Sequence, residues 1–212
     1  MENLIIRTVQ KEELDLVAEL ENKIWPEGTR ASKEMFESRF NLFPQGFFVV
    51  YKGSEIIGVS TSEIINYSPK NPPSSWEGIT DNGWIKKNHN PQGNALYVVS
   101  VGAVSRSGGG SALVQAQKEL AKQLNLEYLI LGARIPGYAA YCKEHQDILI
   151  QEYVKLTKSI TEGKTELLDS ELRFYTRNGL ILESIKPNYM EDDAESRNYG
   201  AIMVWKNPNY KK

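Results

Sequence analysis

The alternation of apolar and polar positions divides the chain into short periodic runs separated by two long polar stretches. Leu4, Ile5 and Ile6 form a brief β-rich run, and the segment 12–20 then places Leu16, Val17 and Leu20 on one helical face. Glu12, Glu13 and Asp15 crowd the first turn of that helix, where its dipole favours acids. Trp25, Pro26 and the polar residues through Arg30 are expected to end it. Ser32, with Glu34 behind it, reads as the cap of a second helix carrying Met35, Phe36, Phe40 and Leu42. The runs 47–51 and 56–61 flank Lys52-Gly53-Ser54-Glu55, a spacing that predicts a β-hairpin.

From 66 to 93 the periodicity dissolves into Pro, Asn, Gly and Ser residues that include Pro72, Pro73 and Trp76. So long a connection inside a compact domain is uncommon unless it has a purpose, so it reads as an insertion covering a site, or else as a packed irregular loop. Pattern returns at 95–101, too apolar for either face to be solvated and hence a central strand. Ser105-Arg106-Ser107-Gly108-Gly109-Gly110-Ser111 follows, then a helix over 112–124 and a buried strand over 128–131; this unit implies a parallel or mixed sheet. A second polar excursion, 132–163, contains Arg134-Ile135-Pro136-Gly137-Tyr138 and a predicted helix over 148–160. A helix over 166–177, closed by Asn178-Gly179, and strands over 180–185 and 201–205 complete an α/β (α+β) fold. A single domain is expected over 1–212, with a mixed central sheet of about six to seven strands.

Composition narrows the function classes. With 25 Lys+Arg against 27 Asp+Glu, the net charge of -2 lacks the broad basic surface of a general nucleic-acid binder. Cys142 is the single cysteine, which excludes an intrachain disulfide and fits a reducing compartment. It reads as a packed or surface thiol. His89 and His145 lack partners at metal spacing, so no metal is expected. The N-terminus lacks a basic targeting segment and no apolar run reaches membrane length, so a soluble cytoplasmic protein is expected.

Three glycines between a buried strand and a helix leave backbone N–H groups open at a helix N-terminus, a natural phosphate site, although a tight turn uses glycine for its own reasons. No Lys follows Gly110, so the loop is not that of a nucleotide hydrolase. Leu113 stands where a dinucleotide fingerprint needs its third glycine, and Glu127 lies at the wrong end of the next strand to hold a ribose.

The order of elements and this loop resemble the GNAT acyl-CoA N-acyltransferases, whose loop reads Gln/Arg-x-x-Gly-x-Gly/Ala. Two registers are open: Gly108-x-Gly110 with Ser105 in the Gln/Arg position, or Arg106 and Gly109 with Ser111 as the last small residue. Phe174-Tyr175-Thr176-Arg177-Asn178-Gly179-Leu180 is similar to the family's Tyr-x-x-x-Gly-Phe segment. Trp76-Glu77-Gly78-Ile79-Thr80, Arg134 through Tyr138, and Pro187-Asn188-Tyr189 with Asp192, Asp193, Glu195 and Ser196 resemble a bacterial subgroup often fused to a nitrilase-like hydrolase.

The resemblance implies acetyl-CoA as co-substrate, its pantetheine held by the backbone of Val99 and Val101 and its pyrophosphate by the amides of Gly108, Gly109, Gly110 and Ser111 with Arg106. It implies Tyr175 as general acid and a small-molecule or protein amine as acceptor. Arg134 and Tyr138 either orient an acceptor carboxylate or form a rigid turn. Glu77, Asp81, His89 and Glu63 are candidates for the base, because the central strand carries no Asp or Glu. Glu191 through Glu195 read as a solvated loop or as an attractor of a cationic amine. The enzyme competes with a non-catalytic acyl-CoA-binding domain; no nucleic-acid or membrane partner is expected, and a homodimer is compatible with either.

Overall fold

In the computed structural model, which describes residues 3–25 and 28–212, β1 (Leu4–Thr8) leads into α1 (Leu14–Ile24). Ser32 caps α2 (Lys33–Leu42) by accepting the Met35 N–H at 3.3 Å. Strands β2 (Phe48–Lys52) and β3 (Glu55–Ile65) form the expected hairpin, with Gly53 in its turn at φ 60°, a conformation glycine adopts freely. Next come α3 (Trp76–Thr80), β4 (Ala95–Ala103), α4 (Gly109–Gln123), β5 (Tyr128–Ala133), α5 (Gly137–Glu144) and α6 (Ile150–Tyr153). A hairpin of β6 (Thr157–Thr161) and β7 (Lys164–Leu167), then α7 (Ser170–Arg177), β8 (Ile181–Lys186) and β9 (Gly200–Lys206) complete the order.

Seven strands form one mixed sheet in the order β1-β2-β3-β4-β5-β9-β8, antiparallel except for β4 against β5. Val17, Leu20 and Phe36 of α1 and α2 pack with Val49 and Val59 in one core cluster, while Leu113 of α4 packs with Val50 and Ile57 in another. Neighbouring strand residues point to opposite faces, so the two helical layers sandwich the sheet. Helix α7 lies beside α4: Asn178 Nδ2 donates to Ser111 Oγ at 3.3 Å, and Lys118 Nζ donates to the Asn178 carbonyl.

Several expectations change. Leu16 is 49% exposed, and Leu14, Val17 and Leu20 form the buried stripe. No helix spans 148–160: α6 is a single turn, and the β-branched Thr157, Ile160 and Thr161 form β6, which turns through Gly163 at φ 74°. Because Asp169 caps it, α7 begins at Ser170, after β7. Helix α4 begins at Gly109, three residues before the predicted start. Pro26, expected to end α1, lies outside the described residues, as do Met1 and Glu2.

The functional consequence lies between β4 and β5. Strand β4 pairs with β3 along its length but with β5 only from Ala95 to Tyr97, after which β5 continues against β9. A bulge opposite Thr61 and Ser62 bends β4 at this point. Residues 98–103 therefore present an unpaired edge in the middle of the sheet. Tyr97 and Tyr189 fill the closed end of this notch, their hydroxyls 2.8 Å apart. The Tyr189 ring lies against Gly132 and Gly200, where a Cβ would come within 1.9 and 2.3 Å of it.

Candidate active site

Two spaces meet at the notch. On the α1 and α2 side is a cavity of about 320 Å³, lined by Glu21, Arg39, Trp76, Glu77, Ser100 and Arg134 among others. On the α4 and α7 side is a groove of about 390 Å³, lined by Ala103, Arg106, Gly108, Gly110, Ser111 and Phe174 among others. Trp25, Val101, Glu171 and Tyr175 line both. A molecule extended along the groove would therefore bring its end to the two α7 side chains that face a second molecule in the cavity.

The groove is built by the glycine loop. Arg106 at φ 59° and Gly108 at φ 82° turn the chain into α4, whose first-turn amides lack helical acceptors. Gly109 is buried and donates its N–H to Ser107 Oγ at 3.1 Å. The Gly110 and Ser111 amides have no partner among the described residues, and Gly108 and Gly110, not Gly109, line the groove. This is the spacing of the Gly108-x-Gly110 register. Val101 lines both spaces, whereas the Val99 carbonyl already accepts the Trp76 indole N–H at 3.0 Å, so Trp76 closes the cavity against the β4 edge.

Glu171 and Tyr175 lie four residues apart on α7 and so share a helical face. Asp169 fixes that helix: Oδ1 accepts the Glu171 and Leu172 N–H groups at 3.0 and 3.1 Å, and Oδ2 accepts the Gly137 N–H from α5 at 3.0 Å. Burial pushes the Tyr175 hydroxyl far above its usual range, with the Glu171 charge adding to it, so it stays protonated. Burial likewise pushes the Glu171 carboxyl up to about 7; Arg134 opposes the shift, and Asp169, Asp193 and Glu195 reinforce it. Glu171 is the functional candidate that sequence reading missed. Its signal was the spacing of one helical turn from Tyr175.

Arg134 lines the cavity but is occupied by the chain's own carboxylates, donating to both Asp193 oxygens at 2.9 and 2.6 Å and to Glu195 at 2.7 Å. The run Glu191 through Glu195 is largely exposed, as expected of a solvated loop, except that Asp193 is buried and caps a short turn, accepting the Ser196 N–H. Tyr138 does not line the cavity; it is buried, donates to the Ile148 carbonyl at 2.9 Å and packs on Tyr153. Glu77 lines the cavity and accepts the Glu191 N–H at 2.8 Å.

Among the other base candidates, Asp81 pairs with Lys87 at 2.8 Å, and His89 Nδ1 accepts the Ile64 N–H at 3.2 Å. Neither lines either space. Glu63 is wholly buried with both carboxylate oxygens unpartnered among the described residues, and burial pushes it up to about 8 despite Arg39. It too lies outside both linings. No group of His, Cys, Asp and Glu able to hold a metal occurs among the described residues, and no described helix is long and apolar enough to cross a membrane.

An amide-lined groove and a separate cavity thus meet where the parallel pair β4 and β5 splays apart. No family model matches the chain. In Bacillus subtilis strain 168, the uncharacterized N-acetyltransferase YkwB is 34% identical over 100% of this chain and 92% of its own length. The probable hydrolase YhcX of the same organism is 34% identical over 98% of this chain, which spans 39% of that relative's length. Among solved structures, the loading GNATL domain of CurA from Lyngbya majuscula superposes with a TM-score of 0.79 at 20% identity, over 96% of this chain and 98% of that one. The GphF GNAT-like decarboxylase in complex with isobutyryl-CoA gives 0.79 at 21%, over 95% and 98%. The chain belongs to the GNAT superfamily of acyl-CoA N-acyltransferases. Its similarity to part of a relative named a hydrolase is consistent with acetyltransferase domains fused to hydrolase-like ones.

Proposed function

We propose that the chain transfers an acetyl group from acetyl-CoA to a primary amine by direct attack in a ternary complex. The observation that carries this reading is the meeting of groove and cavity at Glu171 and Tyr175. Acetyl-CoA lies along the groove, its pyrophosphate at the Gly110 and Ser111 amides near Arg106, and its thioester at the notch. The amine approaches from the cavity. Its nitrogen attacks the thioester carbonyl; a C–N bond forms and the C–S bond breaks. The surplus amine proton passes to Glu171, whose elevated pKa suits a base near neutral pH. The Tyr175 hydroxyl protonates the departing thiolate and regains its proton from Glu171. Holding both substrates in attack geometry supplies on the order of 7–11 kcal/mol of the barrier reduction.

Calorimetric titration with acetyl-CoA and a thiol-release assay over an amine panel test the reading. Binding with amine-dependent CoA release is expected. Tyr175→Phe should lower turnover about a hundredfold with little change in acetyl-CoA affinity. Binding without turnover would instead favour a non-catalytic acyl-CoA-binding domain.

A further inference from the structure

Arg39 has no place in the transfer chemistry, yet it lines the cavity. It comes from α2 at 1% exposure, with Nε donating to the Gly83 carbonyl at 2.7 Å and Nη1 to Thr61 Oγ1 at 3.2 Å; Thr61 Oγ1 in turn lies 2.9 Å from Ser100 Oγ on the β4 edge. Among the described residues, Nη2 makes no hydrogen bond and no carboxylate lies within 4.0 Å of the guanidinium, whose carbon sits 5.3 Å from the Phe36 ring centre. Burying a cation without a counter-ion is costly, and a fixed guanidinium fork matches the geometry of a carboxylate.

The nearby acids do not neutralise it. Glu21 on α1 accepts the Ala31 N–H at 3.0 Å through one oxygen and leaves the other unpartnered, and Glu63 on β3 has neither oxygen partnered. Both attract the guanidinium through space without bonding to it; burial raises the pKa of both carboxyls, that of Glu63 to about 8, and lowers that of Arg39 to about 10. Arg39 lines only the cavity, whereas Glu171 and Tyr175 line both spaces. Within the cavity, Arg39 thus lies away from the groove and Glu171 at the junction with it.

We propose that the acceptor is a small amino-acid-type molecule whose amine faces Glu171 and whose carboxylate is bound by Arg39. This assignment rests on the acetyl-transfer reading. It is tested by thiol release with pairs of amino acids and their carboxamides, using acetyl-CoA. On the order of tenfold higher kcat/KM for the acids is expected, with the ratio collapsing towards one in Arg39→Gln. Equal use of acids and amides would overturn the assignment, and CO2 release from malonyl-CoA without an amine requirement would overturn it in favour of a carboxylate on the acyl group. If Arg39→Gln fails to fold, the wild-type acid-to-amide ratio still decides. A binding readout separates this assignment from acetyl transfer itself. With CoA present, N-acetylated amino acids should raise the melting temperature of the wild-type chain while their amides do not. A selective shift without turnover would support the carboxylate site and sink the transfer reading; equal shifts, or none, would sink the site.

Discussion

Glu171 combines two demands that usually conflict. It sits in the first turn of α7, where backbone N–H groups favour a carboxylate, yet burial and the neighbouring acids hold its pKa near 7. A base so poised is half-loaded at neutral pH. The rate of CoA release should therefore rise as pH passes through about 7 and level off above it, and Glu171→Gln should remove the rise and lower the plateau about a hundredfold. A pH–rate profile left unchanged by that substitution would exclude Glu171 as the group that titrates. Tyr175 differs in kind: burial holds it protonated throughout this range.

At the scale of elements, Asp169 links the second insertion to the site. One oxygen caps α7; the other holds the N-terminus of α5, and Tyr153 of α6 donates to it at 3.4 Å. Capping substitutions typically cost ~1 kcal/mol, and a buried network costs more when one member leaves donors unpaired. Asp169→Ala should destabilise the chain by about 2 kcal/mol in denaturant unfolding and, by releasing the α7 start, reduce turnover more than acetyl-CoA affinity. A loss confined to stability would assign Asp169 a purely structural role. The cap was misread as a helix interior because Glu166 and Leu167 continue the apolar and charged spacing of α7 upstream, while their pairing as β7 depends on a partner strand.

Across the whole molecule, buried carboxyls set the response to pH. Glu63 has a folded-state pKa of about 8 against an ordinary value of 4.5, so between those limits the fold holds a proton that the unfolded chain has lost. Stability from this group is fully present below about 4.5 and is lost as pH rises towards 8. Glu21 and Glu171 are shifted in the same direction. Melting temperature should fall from about pH 5 to pH 8, and Glu63→Gln should flatten that fall. Parallel curves for the two proteins would contradict the assignment.

The sequence by itself determined what local physics encodes. Apolar runs located the seven strands of the main sheet, Ser32 and Asn178-Gly179 marked helix ends, and Gly108 through Gly110 marked the turn from strand into helix. Motif order then identified the superfamily. Tertiary structure decided the rest, because it concerns residues distant in the chain. Ion pairing turned Arg134 inward onto Asp193 across 59 positions, and Tyr138 went into the core beside Tyr153. Arg39, inside an ordinary amphipathic pattern, reached the cavity only because its guanidinium meets Thr61 of β3, opposite the β4 bulge. Periodicity specifies which face of an element is buried; what that face meets depends on how strands diverge, and here the gap between β4 and β5 joins the groove to the cavity.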